Sequence, residues 1–196
     1  KELPNLQNAP AGAYLTDRLN SEAVKFINKN KNKPFFLYLS HYAPHFPIQA
    51  PRDTVKKYEA KLENSCRAPA VLKYCDTSSL YPEYAAMVEH IDRGVEQLRT
   101  ALKESGLADN TVIVLMSDNG GYAFSYGAQV LRGQKSQLYE GGIRVPMVWL
   151  IPDNLAGLKS QAGVKIDVPV SGIDIYPTFA GLAGINTKQQ TLDGLD

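Results

Sequence analysis

The chain has 196 residues, 44% hydrophobic and 21% charged, a makeup that suits one globular domain with one core. Its 21 Lys and Arg face 20 Asp and Glu, and a net charge of +1 supplies no field to gather nucleic acid or an anionic membrane, so neither partner is expected. Apolar runs such as Val112 to Met116 fall far short of the roughly 20 residues that span a bilayer.

The first residues, "KELPNLQNAP", hold neither an initiator Met nor a charged-then-apolar leader and read as a cut. "LTDRLNSEAVKFINKN" predicts an amphipathic helix with Leu15, Leu19, Ala23, Phe26 and Ile27 on its apolar face, and Lys29, Lys31 and Lys33 read as a solvated turn. "FFLYLSH", residues 35 to 41, is apolar on both alternating faces and predicts a central strand covered on both sides. "YAPHFPIQAP" follows as a stiff loop, because Pro44, Pro47 and Pro51 fix φ and remove backbone donors.

"DTVKKYEAKLEN" predicts a short helix, and the stretch of about 64–82 has no sustained period and reads as a surface insertion. It holds Cys66 and Cys75, which lack the close Cys/His pairs of a zinc site. They read either as a local disulfide, implying an oxidising compartment, or as two free thiols. "EYAAMVEHIDRGVEQLRTALKESG" predicts a long helix with Met87, Ile91, Val95, Leu98 and Leu102 in one stripe, His90 on the solvated side and Gly106 as its stop.

"TVIVLMSD" repeats the buried-strand pattern, "VPMVWLIP" and "IDVPVS" predict two further strands, and "DIYPTFAGLAG" predicts a last helix capped by Asp174 with Pro177 in its first turn. Strands alternating with helices predict one α/β domain over residues 1–196, with a largely parallel sheet flanked by helices. In such sheets ligands gather at the carboxyl ends of the strands, where "SHYAPH" and "SDNGG" both lie.

Asp118 and Asn119 offer hard oxygens suited to Ca²⁺ or Mg²⁺, and Gly120 and Gly121 permit a tight turn; the same four residues also read as a plain turn ending a strand. Two oxygens cannot fill a calcium shell of about 6–8 ligands, so further ligands must come from elsewhere. His45, between Pro44 and Phe46, is a rigidly mounted imidazole, and His41 is a weaker candidate at the same edge. Lys135, between Arg132 and Glu140 in "LRGQKSQLYEGGIRVP", could neutralise an oxyanion or be a solvated surface lysine.

Together, "PFFLYLSHYAPHFPIQAP", "YAAMVEHIDRGVEQLRTALKESGLADNTVIVLMSDNGG", "LRGQKSQLYEGGIRVP" and "DIYPTFAGLAG" with "LDG" resemble the type I sulfatases in order and spacing over nearly the whole chain. The resemblance implies an alkaline-phosphatase-like α/β fold and hydrolysis of sulfate esters at one divalent cation, usually Ca²⁺, with Mg²⁺ as the alternative. It implies that Asp118 and Asn119 are metal ligands, and that His45 and Lys135 contact the sulfate as catalytic and substrate-binding residues. It further implies a sulfated small molecule or glycan as partner and an exported enzyme, periplasmic, secreted or lysosomal.

The departures are specific. The family's formylglycine nucleophile arises in a C/S-x-P/A-x-R segment, and "CRAPA" at Cys66 lacks the final Arg, so the nucleophile is expected upstream of Lys1. The paired N-terminal aspartates and the C-terminal subdomain are missing too. The chain thus resembles a piece incomplete at both ends, inactive without the remainder of a sulfatase. Gln134 and Ser136 stand where glycines are common in the family. The competing functions are a phosphodiesterase or phosphonate hydrolase of the same superfamily, and a non-catalytic domain that binds sulfated glycans through Lys135, Arg132 and His45.

Overall fold

The computed structural model describes residues 6–66, 81–122, 131–153 and 163–195. They fall into two compact units, Lys1–Leu158 and Lys159–Asp196. The first holds helices α1 (Leu15–Asn30), α2 (Arg52–Cys66) and α3 (Tyr81–Glu104), strand β1 (Ile113–Met116), the single turn α4 (Glu140–Ile143) and strand β2 (Met147–Leu150). The second holds helix α5 (Ile175–Leu182), entered through a 3₁₀ turn at Gly172–Asp174. Among the described residues no helix is long and apolar enough to cross a membrane.

Helix α1 has the span that its apolar period predicts, and Lys29, Lys31 and Lys33 are exposed as expected. Its buried stripe is Thr16, Asn20, Ala23 and Ile27, rotated from the leucines at 15 and 19. Helix α3 is displaced in the same sense. Ala86, Met87, His90, Gly94, Ala101 and Leu102 are buried, whereas Ile91, Val95 and Leu98 are partly so. The reason is close approach: a Cβ on Gly94 would collide with the Asn20 side chain, so α1 and α3 touch through small residues and one buried amide. His90, expected on the solvated side, is instead 3% exposed. Ile27, Ala101 and Leu102 form the centre of the core, with Val24, Phe35, Leu37, Leu98, Leu107 and Ile113 packed around them.

Helix α2 joins α3 through Lys57, which donates to Glu89 at 2.7 Å, while Arg93 pairs with the same carboxylate from one turn on. The Lys57 ammonium, with help from Tyr58 and Arg93 and against partial desolvation, holds the Glu89 carboxyl down from the usual 4.5 to about 2. The ionised carboxylate thus contributes stability in full above about pH 4.5, and this is lost as the pH falls through about 2. Glu89→Gln is expected to flatten the acid-unfolding profile across that window when followed by circular dichroism; a variant with the parent's profile would refute the linkage.

Residues 35–41 depart from the predicted central strand. Phe35 and Leu37 pack on the core and Phe36 and Tyr38 face out, 68% and 81% exposed, so the pleat is that of a strand. Yet no ladder forms there, because no strand among the described residues lies beside it. The sheet that is described has two strands, β1 and β2, paired antiparallel from Ile113↔Leu150 to Met116↔Met147, where a largely parallel sheet was expected. "IDVPVS" is not a strand either: Ile166, Val168 and Val170 are exposed without ladder partners among the described residues.

At α5, Asp174 is the N-cap residue as predicted, but its side chain makes no cap bond to that helix. Its carboxylate accepts from Ser171 N–H at 2.7 Å and Leu195 N–H at 2.9 Å, closing the 3₁₀ turn rather than the α-helix, and these two bonds lower its pKa. Pro177 sits in the first turn of α5 and is buried. The ends of the expected insertion of about 64–82 are helical, α2 running to Cys66 and α3 starting at Tyr81; residues 67–80 between them, and with them the pairing of Cys66 with Cys75, lie outside the described residues.

Candidate functional site

Strand β1 ends at Met116, and the turn after it is closed by Ser117, whose hydroxyl donates to the Asn119 carbonyl at 2.9 Å. Asp118 projects from this turn as an exposed carboxylate, and neither its side chain nor that of Asn119 bonds another described residue. Gly120 N–H then donates to the Gly142 carbonyl at 2.9 Å. A Cβ on Gly120 would lie 2.7 Å from the Gly142 Cα and overlap the Gly141 carbonyl. Neither Gly120 nor Gly121 has a positive φ, so Gly120 is needed for close approach of two backbones rather than for a left-handed turn.

The second loop is tied to the first through its lysine. Lys135 N–H donates to the Gly121 carbonyl at 2.8 Å, which sets the LRGQK segment against SDNGG. The loop closes on itself: Gly141 N–H bonds the Arg132 carbonyl at 2.8 Å, Gly142 N–H bonds the Tyr139 carbonyl at 2.8 Å, and the Arg132 guanidinium lies 3.9 Å from the Tyr139 ring centre. Gly133 and Ser136 both take left-handed backbone, at φ 86° and 72°. Serine enters that region at a cost of about 1 kcal/mol that glycine avoids, which accounts for a loop in which glycine would be at home. Glu140 pairs with Arg144 and not with Lys135. The Lys135 ammonium has no ion pair among the described residues and is half-buried.

The third loop carries His45. Its N–H donates to the Tyr42 carbonyl at 2.9 Å, making a turn with the cis Ala43–Pro44 bond at its centre and a second cis bond at Phe46–Pro47. His45 Nδ1 lies 3.1 Å from the Phe46 carbonyl. A carbonyl only accepts, so Nδ1 carries the hydrogen and Nε2 is the free edge of an exposed ring. No hydrogen bond among the described residues joins His45 to Asp118, Asn119 or Lys135. The structure therefore brings two of the three predicted segments together by direct bonds, and mounts the third on its own turn.

His41 is taken up elsewhere. Its Nε2 lies 2.8 Å from Asn20 Oδ1, and burial lowers its pKa, which favours the neutral ring. Asn20, 0% exposed, gives its amide hydrogen to the His90 carbonyl at 3.0 Å. His90 Nδ1 lies 2.6 Å from Asp17 Oδ1, its Nε2 3.0 Å from Thr54 Oγ1, and its ring meets Tyr14 edge-on. Sequence periodicity missed this group because it treats polar residues as solvated. The signal available was Asn20 and Thr16 standing in register with Ala23 and Ile27.

Asp118 and Asn119 fit a hard divalent cation in kind: a carboxylate and a carboxamide, adjacent, at a strand end, without competing internal bonds. They fit it as part of a shell, since among the described residues no three His, Cys, Asp or Glu side chains gather. No segment of the chain has the C/S-x-P/A-x-R form that a formylglycine requires.

A family model described as Sulfatase matches residues 1–185. A sulfatase of Formosa agariphila is 34% identical over 195 residues, covering 92% of this chain and 32% of that protein. Steryl-sulfatase of Homo sapiens is 32% identical over 192 residues, covering 93% of this chain and 28% of that protein. Among solved structures, Ps i-CgsB in complex with k-i-k-neocarrahexaose superposes with a TM-score of 0.73 at 40% identity, over 92% of this chain and 37% of that one. The PsFucS1 sulfatase from Pseudoalteromonas sp. superposes with a TM-score of 0.61 at 29% identity, over 93% and 33%. The chain spans about a third of the length of the curated relatives it matches. Its architecture is the α/β, alkaline-phosphatase-like one of these structures. Motif order, fold and a family match that runs from residue 1 to 185 agree, and the chain belongs to the sulfatase family.

Proposed function

We propose that this chain supplies the cation-binding and sulfate-binding part of a sulfuric ester hydrolase. The observation that carries the reading is the bond from Lys135 N–H to the Gly121 carbonyl, which ties the loop of an ammonium to the loop of a carboxylate, neither of them paired among the described residues. Opposite charges on two joined loops are suited to a ligand that offers something to both.

Asp118 and Asn119 would hold the divalent cation, Ca²⁺ or Mg²⁺, which when bound withdraws charge from the sulfate oxygens. Lys135 places an ammonium on a sulfate oxygen, and its reach is set by a backbone bonded at both Lys135 N and Gly141 N. His45, with Nδ1 committed to the Phe46 carbonyl, presents Nε2 to the leaving oxygen and, as imidazolium, donates its proton there. No step is assigned to a formylglycine, since no residue of this chain fits it. A sulfated glycan is the substrate class we favour, on the strength of a 40%-identical neighbour held with k-i-k-neocarrahexaose, and an exported location goes with that substrate.

The full-length protein is expected to turn over p-nitrophenyl sulfate at least about 100-fold faster than p-nitrophenyl phosphate or its diester. A preference for either phosphate would transfer the site to the phosphodiesterase reading. Binding of a sulfated oligosaccharide without turnover, unchanged by chelator, would make it a glycan-binding domain.

A further inference from the structure

The loop that carries His45 is fastened at both ends to one buried residue. Before the loop, His41 donates from Nε2 to Asn20 Oδ1 at 2.8 Å, and Asn20 in turn bonds the His90 carbonyl at 3.0 Å. After it, Pro51 accepts from the Thr54 and Val55 N–H groups at 3.0 and 3.1 Å, and the Thr54 hydroxyl lies 3.0 Å from His90 Nε2. The Asp17 carboxylate can only accept, so His90 Nδ1 carries a hydrogen, and Nε2 shares the second bond with the Thr54 hydroxyl, which can either donate or accept. The Asn20 amide gives a hydrogen to His90, which leaves its oxygen for His41 and selects the Nε2–H form of that ring.

Asn20 cannot swing away, because Gly94 leaves only enough room for its side chain and His90, Thr54 and Asn20 are all buried. A buried hydrogen-bond network of this kind is rigid when complete. Residues 42–50 between the two fastenings form no helix or strand and carry His45 on an exposed turn.

We propose that the buried network of Asn20, His90 and Thr54 positions His45, tied to His41 through Asn20, which the His90 backbone carbonyl holds, and to Pro51 through Thr54, which the His90 imidazole holds; His41 is the link that transmits it. The inference rests on the reading of His45 as the residue that meets the leaving oxygen. Misplacing a reacting group by about 1 Å costs on the order of 100-fold in rate while binding is little altered, so the signature is a loss in kcat at nearly constant KM.

The test uses the full-length enzyme and p-nitrophenyl sulfate, well below the melting temperature of every variant. His41→Phe keeps a ring of similar size and removes the donor; kcat is expected to fall about 10- to 100-fold with KM within threefold of wild type. His41→Gln, whose amide again reaches Asn20 as a donor, is expected to recover kcat to within threefold. Thr54→Val, which removes the hydroxyl at constant shape, tests the other end and is expected to give the same kind of loss. In a His45→Ala background, His41→Phe is expected to add nothing, because the effect passes through His45. Melting temperatures that fall with kcat unchanged, or losses from His41→Phe and His45→Ala that multiply, would overturn the positioning role. Normal turnover in His45→Ala alone would instead overturn the reading of the site, and the positioning role with it.

Discussion

Asp118→Ala in the full-length enzyme is expected to lower calcium affinity about 100-fold or more, a loss of about 2.7 kcal/mol in binding free energy. The size follows from what is removed. Loss of an outer-shell partner of a metal ligand already costs 10- to 100-fold, and on the proposed reading an anionic ligand itself is deleted from a shell that depends on ligand charge. The cation-free protein should not register the change: the Asp118 side chain is exposed and bonds no other described residue, and such substitutions stay within about 0.5 kcal/mol of wild type. Calorimetric titration and thermal shift therefore separate two causes. Wild type gains about 2.7 kcal/mol at a calcium concentration one hundred times its dissociation constant, and the variant gains about 0.4 kcal/mol at that same concentration. Equal affinity in the two proteins would remove Asp118 from the metal site; a loss of stability without calcium would mean that the carboxylate supports the turn and not an ion.

The sequence made the helices legible because periodicity and caps are local. Helix α1 spans Leu15–Asn30 as its pattern predicts, α3 ends before Gly106 at φ 70°, and β1 and β2 lie where the runs "TVIVLM" and "VPMVWL" fall. Pairing is not local. "FFLYLSH" has the alternation of a strand, but alternation does not say which neighbour completes a ladder, and among the described residues none does, for it or for "IDVPVS". The α1–α3 face escaped for a different reason. Apolar periodicity assigns Leu15, Leu19, Ile91 and Val95 to the interior, whereas close packing chose Asn20, His90 and Gly94, residues whose burial depends on finding one another across 70 positions. Of the candidate site, the sequence showed the two glycine-bearing loops but not why their glycines are there: Gly120, Gly141 and Gly142 stand where a Cβ would overlap another backbone, in the loops that hold Asp118 and Lys135. Arg132 stacking on Tyr139 gave no sequence signal beyond two residues of suitable type seven apart.

His45→Ala is expected to lower kcat by about 100- to 10,000-fold, the range that a positioned acid contributes, while the melting temperature stays near that of wild type. The two halves of this expectation come from different atoms. The imidazole is exposed, and among the described residues it bonds the adjacent Phe46 carbonyl alone, so its loss removes little packing. The shape of the loop is held instead by backbone: the His45 N–H to Tyr42 bond survives in alanine, as do the prolines that fix φ at 44, 47 and 51. What disappears, on the proposed reading, is the proton donor at Nε2. His45→Gln makes the argument sharper, since its amide offers a hydrogen bond of similar reach but no transferable proton. If His45 protonates the leaving oxygen, glutamine is nearly as slow as alanine, and both variants lose most on esters with poor leaving groups and least on activated aryl sulfates. Glutamine restoring turnover on all esters alike would show that His45 holds the sulfate by a hydrogen bond, and a fall in melting temperature with normal turnover would show that the ring serves the loop and not the reaction.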